Sequence, residues 1–444
     1  MFSILKNRTY RNLFFAQVVA LVGTGLATVA LGLLAHDLAG KDAGAVLGTA
    51  LAIKMVAYVL VAPIAGAYAS QWPRRTLLVG LDLSRLAVVL VLPWVDQIWQ
   101  IYVLIFVLQS SSAAFTPTFQ ATIPEVLPDE ADYTRALSLS RLAYDLENLL
   151  SPALAAMLLL VVSYHGLFLG TAVGFMGSAL LVLSVVLPRA QASVPQLSIG
   201  RKLTQGARIY LATPRLRGLL ALTLTAAAGS ALVIVNTVVI VREGLSRPES
   251  AVALALAAFG SGSMATALLL PRVLDKYSDR AVMLTAATLL CGLLVSLAIT
   301  LPLLTPALQW PLLLVGWLLL GASYAAVVTP GGRLLRRSSA ERDRPALFAA
   351  QFSLSHACWL IAYPVVGWLG AKVGMAAAIW AMAGLAVLGT VLARWLWPRE
   401  DREVLAHRHD DLPADHPHLA EHPGNGQHAH RFVIDDQHER WPSR

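Results

Sequence analysis

The chain has 444 residues, a formal net charge of +8, 57% hydrophobic residues, 14% charged residues and a mean hydropathy of +0.64. A soluble globular domain carries about 25% charged residues to cover its apolar core, so this composition excludes one. The two cysteines, Cys291 and Cys358, both lie in apolar runs, which excludes a disulfide framework and a cysteine-based zinc site.

Apolar runs recur along the whole chain, each long enough to cross a hydrocarbon layer of about 30 Å as a helix. Helices are expected because the alternating pattern of a membrane β-barrel does not appear. The first run follows a basic start (Lys6, Arg8, Arg11) and is too long for the core of a cleaved signal peptide. The predicted spans lie near 13–38, 44–69, 77–95, 98–120, 139–164, 166–188, 217–241, 250–271, 281–303, 310–330, 348–370 and 374–397.

Lysine and arginine residues concentrate on one side of these spans. If the N-terminus is cytoplasmic, most basic residues face the cytoplasm, and only Lys41, Arg242, Arg247 and Lys372 face outside. This asymmetry is the one that orients membrane proteins. We therefore predict a multi-pass membrane protein with a cytoplasmic N-terminus. Because the number of spans is even, the C-terminal tail returns to the cytoplasm.

Two similar halves are predicted, because weak repeats recur at a spacing of about 205 to 213 residues. GAYASQWPRR (66–75) matches PRVLDKYSDR (271–280), and FTPTFQATIP (115–124) matches VTPGGRLLRR (328–337). Such repeats place a substrate path where the two halves meet. The predicted parts are an N-terminal six-helix half (1–188), a polar cytoplasmic linker (189–216), a C-terminal six-helix half (217–397) and a tail (398–444).

The loop between spans two and three carries a degenerate signature. With the twelve spans, it resembles the major facilitator superfamily, whose loop reads roughly G-x-x-x-D-x-x-G-R-R/K. Gly66, Arg74 and Arg75 match, whereas Ser70 replaces the acid and Pro73 the second glycine. The resemblance implies an all-α membrane fold of twelve helices in two halves, with both termini cytoplasmic. It also implies that this loop joins the ends of neighbouring helices in one conformation.

The second copy of this loop keeps an acid and a base, Asp275 and Arg280. Because Ser70 cannot supply the missing charge, we expect the first half to depend on Asp82 and Arg85 of span three, or on the second half. The predicted conformational gate is therefore the set Gly66, Arg74, Arg75, Asp82, Arg85, Asp275 and Arg280.

Polar groups inside a bilayer are costly and mark candidate functional sites. In span five, Arg141, Asp145 and Asn148 share one helical face. We interpret Asp145 as a metal ligand or proton carrier; the alternative is an ion pair with Arg141 that only steadies the helix. His356 in span eleven lies opposite this region by the internal repeat. It can ligate a borderline metal or relay a proton, or it can simply bond a helix carbonyl.

Other candidates lie nearer the outer side. His36 and Asp37 end span one, where a hydrated helix end is the alternative explanation, and Asn236 in span seven offers an oxygen. Lys54 is expected to extend towards water or to pair with an acid. The ferroportin-like metal exporters of the superfamily use ligands from spans one and eleven. The likeness to them favours His36, Asp37 and His356.

The tail, residues 398–444, has too few apolar residues to fold, so we expect it to be disordered. Eight of the eleven histidines of the chain fall in its last 38 residues. Neutral imidazoles interleaved with carboxylates suit nickel, cobalt, copper or zinc, whereas calcium and magnesium prefer oxygen. The alternative is a solvated tail whose histidines are incidental. The predicted metal ligands are His407, His409, His416, His418, His422, His428, His430 and His438.

A twelve-span body with a histidine-rich cytoplasmic C-terminus resembles the NreB-type nickel-resistance exporters. The resemblance implies a secondary transporter, not an enzyme, that exports Ni²⁺ or Co²⁺ by proton antiport and confers metal tolerance. The metal is cargo, and no cofactor is expected. Expected partners are divalent metal ions, the proton motive force and the lipid bilayer; a monomer is expected, and no nucleic acid partner. Two alternatives stay open: a drug or siderophore exporter of the same superfamily, and a non-transporting metal sensor.

Overall fold

The structure is a computed structural model. It describes residues 2–68, 72–129, 132, 136, 139–140, 143, 151, 154–187, 199–339, 343–401, 404–408, 427–435, 438 and 441–442. In the N-terminal half these residues form α1 (Arg8–Ala39), α2 (Ala43–Tyr68), α3 (Arg74–Val91), α4 (Ile98–Val126) and α5 (Tyr164–Leu183).

An amphipathic linker helix, α6 (Ile199–Ala212), leads into the C-terminal half. That half contains α7 (Pro214–Val239), α8 (Glu249–Leu274), α9 (Asp279–Thr300), α10 (Pro306–Val328), the short α11 (Gly331–Arg337), α12 (Arg344–Lys372) and α13 (Met375–Leu396). In the tail, β1 (Val404–Arg408) and β2 (Gln427–Arg431) form an antiparallel pair. We call the side where α1 begins and α13 ends the terminal face, and the opposite side the far face.

The helices confirm the prediction of an all-α membrane protein. Ten helical segments of the described residues are long and apolar enough to cross a membrane, and the first, Arg8–Val61, contains α1 and most of α2. These segments correspond to every predicted span except 139–164, of which the structure describes only 139–140, 143, 151 and 154–164.

Local sequence determines where several helices begin. The Asn7 side chain accepts a hydrogen bond from the Tyr10 backbone N–H at the start of α1, and the Ser278 hydroxyl accepts one from Ala281 at the start of α9. These caps satisfy N–H groups that have no partner inside the helix. Proline stands in the first turn of α7 and α10, where its missing N–H leaves no hydrogen bond unmade.

The buried apolar residues of the described chain fall into three clusters. The largest combines residues of both halves, mainly from the middle and far-face ends of the helices. The other two lie at the terminal face, one containing only residues of the N-terminal half and one only residues of the linker, the C-terminal half and the tail. The two halves therefore share one core towards the far face and have separate cores towards the terminal face, so the described helices form a V that is closed on the far side.

Close backbone contact between α2 and α12 closes this V. A Cβ placed on Gly48 of α2 would lie 2.5 Å from the carbonyl oxygen of Tyr363 in α12, and one on Gly367 would overlap the carbonyl oxygen of Gly44. Glycine is needed at these positions because any side chain would push the helices apart. Small residues are the usual means by which helices approach closely in a membrane.

The described part of the tail corrects the prediction of disorder. β1 and β2 pair in register from Val404 opposite Arg431 to Arg408 opposite Gln427. Phe432 and Ile434 follow β2 and are fully buried in the core of the C-terminal half. The prediction of disorder considered the composition of the whole tail, in which apolar residues are few. Phe432 and Ile434 lie close together in one short segment, so they can be buried together. Residues 409–426 lie outside the described residues.

The glycine contact predicts a stability difference between two alanine substitutions. Gly48→Ala should lower the thermal stability of the purified protein, by about 1–3 kcal/mol, because the methyl group overpacks the contact with α12. Gly80→Ala on α3 is the matched control, since nothing lies within 4 Å of its added Cβ. Its stability should be unchanged or slightly raised, as alanine favours helix. Equal unfolding temperatures for both variants would contradict the packing described for α2 and α12.

Candidate transport site

A narrow pocket lies among the helices of the N-terminal half, about midway along α1. Its cavity volume is only about 20 Å³, and its lining is mostly apolar. The polar side chains that reach it are Thr24, Thr28, Lys54, Gln109 and Ser112. The amide oxygen of Gln109 is buried and accepts no hydrogen bond from the described residues. An apolar pocket with a few placed polar groups is the usual form of a small-ligand site.

The Lys54 side chain connects this pocket to the boundary between the halves. Lys54 Nζ lies 5.5 Å from the centroid of the Tyr58 ring, also on α2. Across the boundary, the Tyr58 ring meets the ring of His356 on α12 edge to face, with centroids 5.2 Å apart. The Phe352 ring lies 4.1 Å from that of His356. An ammonium, an imidazole and aromatic rings thus meet where the two halves touch, and this cluster is the candidate transport site.

The hydrogen bond of His356 defines which of its nitrogens is available. Nδ1 lies 2.6 Å from the backbone carbonyl of Phe352, one turn earlier. A carbonyl only accepts, so Nδ1 carries the proton and Nε2 keeps its lone pair. This is the carbonyl bond considered from the sequence as the purely structural alternative. It is also the arrangement that orients metal-binding histidines, because their second nitrogen usually donates to a carbonyl or carboxylate.

The partners predicted for His356 in span five cannot be placed, because Asp145 and Asn148 lie outside the described residues. Cys358 is buried, and its sulfur lies near the carbonyl oxygens of Leu220 on α7 and of Leu354. In the part of the chain that the structure describes, no three histidine, cysteine or acidic side chains converge as a metal site.

His36 and Asp37 take part in contacts that close the far face. His36 Nε2 lies 2.7 Å from Glu243, just beyond α7, and joins the two halves. Asp37 accepts a hydrogen bond of 2.5 Å from the Tyr164 hydroxyl. The sequence offered both residues as candidate metal ligands, whereas the structure engages them in fixed pairs. A salt bridge from Lys372 to Asp42, at 3.2 Å, is a further link between the halves on this face.

Asn236 is fully buried at the same closure. Its amide N–H donates to the Val366 carbonyl in α12 at 3.3 Å, and its oxygen lies beside Gly44, where it would be 2.7 Å from an added Cβ. The amide oxygen accepts no hydrogen bond from the described residues, so the prediction that Asn236 offers its oxygen to cargo stays a prediction. In this structure the amide N–H of Asn236 holds α7 against α12.

The gate residues Arg74 and Arg75 bind partners within the first half. Arg74, at the start of α3, forms a two-pronged ion pair with Glu125 near the end of α4, with bonds of 2.9 and 2.5 Å. Arg75 donates to the carbonyl of Leu183, the last residue of α5. Glu125 thus supplies the acid that Ser70 lacks, and the sequence pattern did not identify it. Gly66 lies on the helical backbone of α2.

Asp82 and Arg85 form a separate buried pair within α3. Asp82 also accepts a hydrogen bond of 2.7 Å from Ser178 in α5. The Arg85 guanidinium lies 4.2 Å from the Phe115 ring centroid and 4.6 Å from that of Phe175. These contacts connect α3 with α4 and α5 and do not reach Arg74, so the role of this pair in the gate stays a prediction.

In the second half the pairing acid is Asp279, not Asp275. Asp279 is buried and lies 3.4 Å from Arg333 and 3.0 Å from Arg337 of α11, whereas Asp275 is exposed at the end of α8. Arg280 donates to the Trp397 carbonyl at 3.2 Å. Both acids occur in the same short loop sequence, so spacing alone did not distinguish them.

The structure describes four of the eight tail histidines. His407 and His428 stand opposite each other in the β1–β2 register. The ring of His430 lies 5.1 Å from that of His438, and His438 Nδ1 lies 2.9 Å from an Asp435 carboxylate oxygen. The remaining predicted ligands, His409, His416, His418 and His422, lie outside the described residues.

Comparison with known proteins establishes the family. The model of the Major Facilitator Superfamily matches residues 13–246 and again 218–422. The chain therefore belongs to this superfamily. The two matches overlap from 218 to 246, and the prediction of a non-enzymatic membrane transporter is confirmed at this level.

A relative with detectable sequence identity has no cargo in its name. The chain is 30% identical over 142 residues to the uncharacterized MFS-type transporter YfiS of Bacillus subtilis (strain 168), a match that covers 31% of this chain and 33% of YfiS. The aligned region thus spans about a third of that relative.

Solved transporter structures share the fold. The nucleoside transporter NupG has a TM-score of 0.68 at 14% identity, covering 87% of this chain and 98% of its own. A D-xylose–proton symporter has 0.66 at 14%, covering 89% and 98%. A bacterial homolog of the human lysosomal transporter Spinster, in an inward-facing and unoccupied conformation, has 0.67 at 12%, covering 88% and 96%. At this identity the likeness shows the fold alone.

Removing the acid that pairs with Arg74 should destabilise the N-terminal half. Glu125→Gln leaves a guanidinium that is 8% exposed without its carboxylate, and we expect a loss of about 2 kcal/mol or more. Asp42→Asn breaks the far-face pair with Lys372, whose side chains are 36% and 55% exposed, and should cost about 1 kcal/mol or less. Thermal unfolding in detergent compares the two variants. A smaller loss for Glu125→Gln than for Asp42→Asn would show that this ion pair does not hold α3 to α4.

Proposed function

We propose that the protein exports a divalent transition metal, Ni²⁺ first and Co²⁺ second, from a bacterial cytoplasm by proton antiport. The terminal face would be the cytoplasmic face of the inner membrane. The observation that carries the proposal is the distribution of histidine: eight of eleven lie in the last 38 residues, a segment whose residues Phe432 and Ile434 pack into the core at the terminal face. A tethered, metal-binding segment raises the metal concentration at the entrance.

The candidate transport site has donors that suit such a cargo. His356 presents Nε2 while Nδ1 is held by the Phe352 carbonyl, and Gln109, Thr24 and Thr28 supply neutral oxygens in the adjoining pocket. Nickel and cobalt accept imidazole nitrogen together with oxygen ligands. The fixed Nδ1 bond also orients the ring before the metal arrives, which lowers the entropy lost on binding.

The ammonium of Lys54 favours release of a cation from this site. Its positive charge lies beside the Tyr58 ring that touches His356, so a bound metal ion would be repelled from the same cluster. A transporter must release its cargo, so moderate affinity is an advantage. When metal leaves, Nε2 of His356 can accept a proton, which couples metal movement in one direction to proton movement in the other.

A second candidate function is export of an aromatic, negatively charged organic compound such as a siderophore or drug. The aromatic rings around the site favour it, since Tyr58, Phe352 and Trp359 surround His356. Lys54 would then attract the cargo rather than repel it. The two candidate functions therefore differ in the charge of the cargo near Lys54, which is positive for the metal and negative for the organic compound.

Metal accumulation in a bacterium that lacks nickel exporters tests the proposal. Expression should lower cellular nickel and raise tolerance to nickel more than to zinc or copper. The physical reason is the imidazole and oxygen donor set at a site open towards the cytoplasm. Unchanged nickel content, together with resistance to an organic toxin, would favour the second candidate and contradict metal export.

Substitution of the boundary histidine tests the transport site. His356→Ala should reduce nickel export about 10- to 100-fold, as loss of a metal-site group does, while the protein stays inserted and abundant. His165→Ala is the matched control, because His165 is exposed at the start of α5 on the far face. Asp145→Asn should behave like His356→Ala if the two residues face each other. Near-normal export by the His356→Ala variant would show that this histidine has only a structural role.

A further inference from the structure

Three arginine side chains gather at the terminal face, where α9 begins beside the end of α13. The two helices pack against each other. The Arg280 guanidinium, at the start of α9, donates to the backbone carbonyl of Trp397, just past the end of α13, at 3.2 Å. Arg394, in the last turn of α13, and Arg399 both lie close enough to Arg280 to repel its positive charge. We call Arg280, Arg394 and Arg399 the arginine cluster.

Little negative charge balances the arginine cluster from inside the protein. Arg394 and Arg399 are exposed, and neither forms a hydrogen bond or an ion pair with another residue that the structure describes. The Asp401 carboxylate also acts on the cluster, because it attracts Arg280. That carboxylate, however, is shared with two other guanidinium groups, at 3.1 Å from Arg215 and 3.5 Å from Arg337.

Two further acids are neighbours of the cluster in sequence. Asp279 is paired with Arg333 and Arg337 of α11. Glu400 follows Arg399 directly, but within the described part of the chain it forms no ion pair with any member of the cluster. The positive charges of the cluster are therefore crowded together with only a shared acid nearby.

The helix end and the general charge of this face do not account for the cluster. The carboxyl end of a helix carries about half a negative charge, so α13 can balance only a fraction of three guanidinium groups. An excess of basic residues on one side of a membrane protein explains single arginines here. It does not explain three that repel one another at one helix junction. An anion bound between them would remove this repulsion.

The cluster adjoins a surface that faces lipid. α13 is one of the helices long and apolar enough to cross the membrane, and Val387, Val391 and Trp395 are exposed along one side of it. Arg394 follows Val391 by three residues, so it ends the same side of the helix. Trp395 is 80% exposed, and a tryptophan at the end of a spanning helix is typical of the level of the lipid headgroups.

We propose that the arginine cluster binds the headgroup phosphate of an anionic phospholipid in the leaflet at the terminal face, with the acyl chains along the exposed apolar side of α13. Guanidinium groups match phosphate oxygens with paired, charge-assisted hydrogen bonds. Basic sites between membrane helices are a known form of headgroup site. A lipid is favoured over free phosphate because the cluster continues into the lipid-facing side of α13. The inference goes beyond the proposed function and is independent of the cargo.

Thermal unfolding of the delipidated full-length protein in detergent tests the site, with phosphatidylglycerol as the probe. Added phosphatidylglycerol should raise the Tm by about 2 °C or more, because a ligand that binds the folded protein stabilises it. Phosphatidylcholine, which has no net charge, should raise it less. High salt should reduce the difference between the two lipids, since it screens exposed charges.

Substitution of the two exposed arginines separates a lipid site from a structural role. Arg394→Gln/Arg399→Gln should lose the rise that phosphatidylglycerol causes. Without lipid, the Tm of this variant should equal or exceed that of the wild type, because like charges beside Arg280 are removed. The matched control, Arg8→Gln/Arg11→Gln, removes two exposed arginines from the start of α1 on the same face and should keep the full rise.

Native mass spectrometry counts bound lipid without relying on stability. The wild-type protein should retain one more phosphatidylglycerol molecule than Arg394→Gln/Arg399→Gln. A second variant, Arg394→Lys/Arg399→Lys, keeps the charges but not the paired geometry of guanidinium, so it should retain the lipid more weakly than the wild type.

Four results would overturn the proposal. The first is equal lipid retention by the wild type and Arg394→Gln/Arg399→Gln. The second is a clearly lower Tm of that variant without lipid, which would mean that the arginines only hold the fold. The third is an equal loss of the rise in both glutamine double variants, which would indicate a diffuse response of the basic face. The fourth is an equal rise with inorganic phosphate, which would identify a general anion site instead of a lipid site.

Discussion

Close contact between α2 and α12 is the constraint on which the other features depend. In a bilayer the lipid tails are as apolar as the helices, so helices associate through packing and polar contacts rather than through a hydrophobic effect. Glycine at Gly48 and Gly367 brings two backbones together where a side chain would not fit. That approach positions Asn236 and aligns Tyr58 with His356 across the boundary between the halves. The closed far face and the candidate transport site are thus consequences of one helix contact.

At the far face, contacts join the two halves. At the terminal face, by contrast, the ion pairs described here form within each half. Arg74 pairs with Glu125 in the first half, and Asp279 pairs with Arg333 and Arg337 in the second. Each network ties the ends of neighbouring helices together, so each half can move as a rigid unit. The helix α6 and the attached tail lie on this same face and belong to the second half. Any signal that the tail carries would therefore act on the side where the halves separate.

The helices were predictable because apolar runs of membrane-spanning length need no tertiary information. The ion-pair partners of individual residues could not be predicted in this way. Asp275 and Asp279 share one loop, and only the position of α11 selects Asp279. Glu125 is distant in sequence from Arg74, so its role depends on how α3 and α4 pack. The tail was expected to be disordered from its composition, yet Phe432 and Ile434 find a buried surface that composition does not reveal. His356 was identified because a histidine inside a long apolar run is rare.

Transport of nickel against its gradient is tested most directly in proteoliposomes that contain only this protein. With the terminal face outside and an acidic lumen, an imposed pH gradient should drive Ni²⁺ inward, and an ionophore that dissipates the gradient should abolish the movement. Alkalinisation of the lumen should accompany nickel entry, because antiport exchanges the two ions. Absence of nickel movement under a maintained gradient, with the protein shown to be folded and inserted, would contradict proton-coupled metal export.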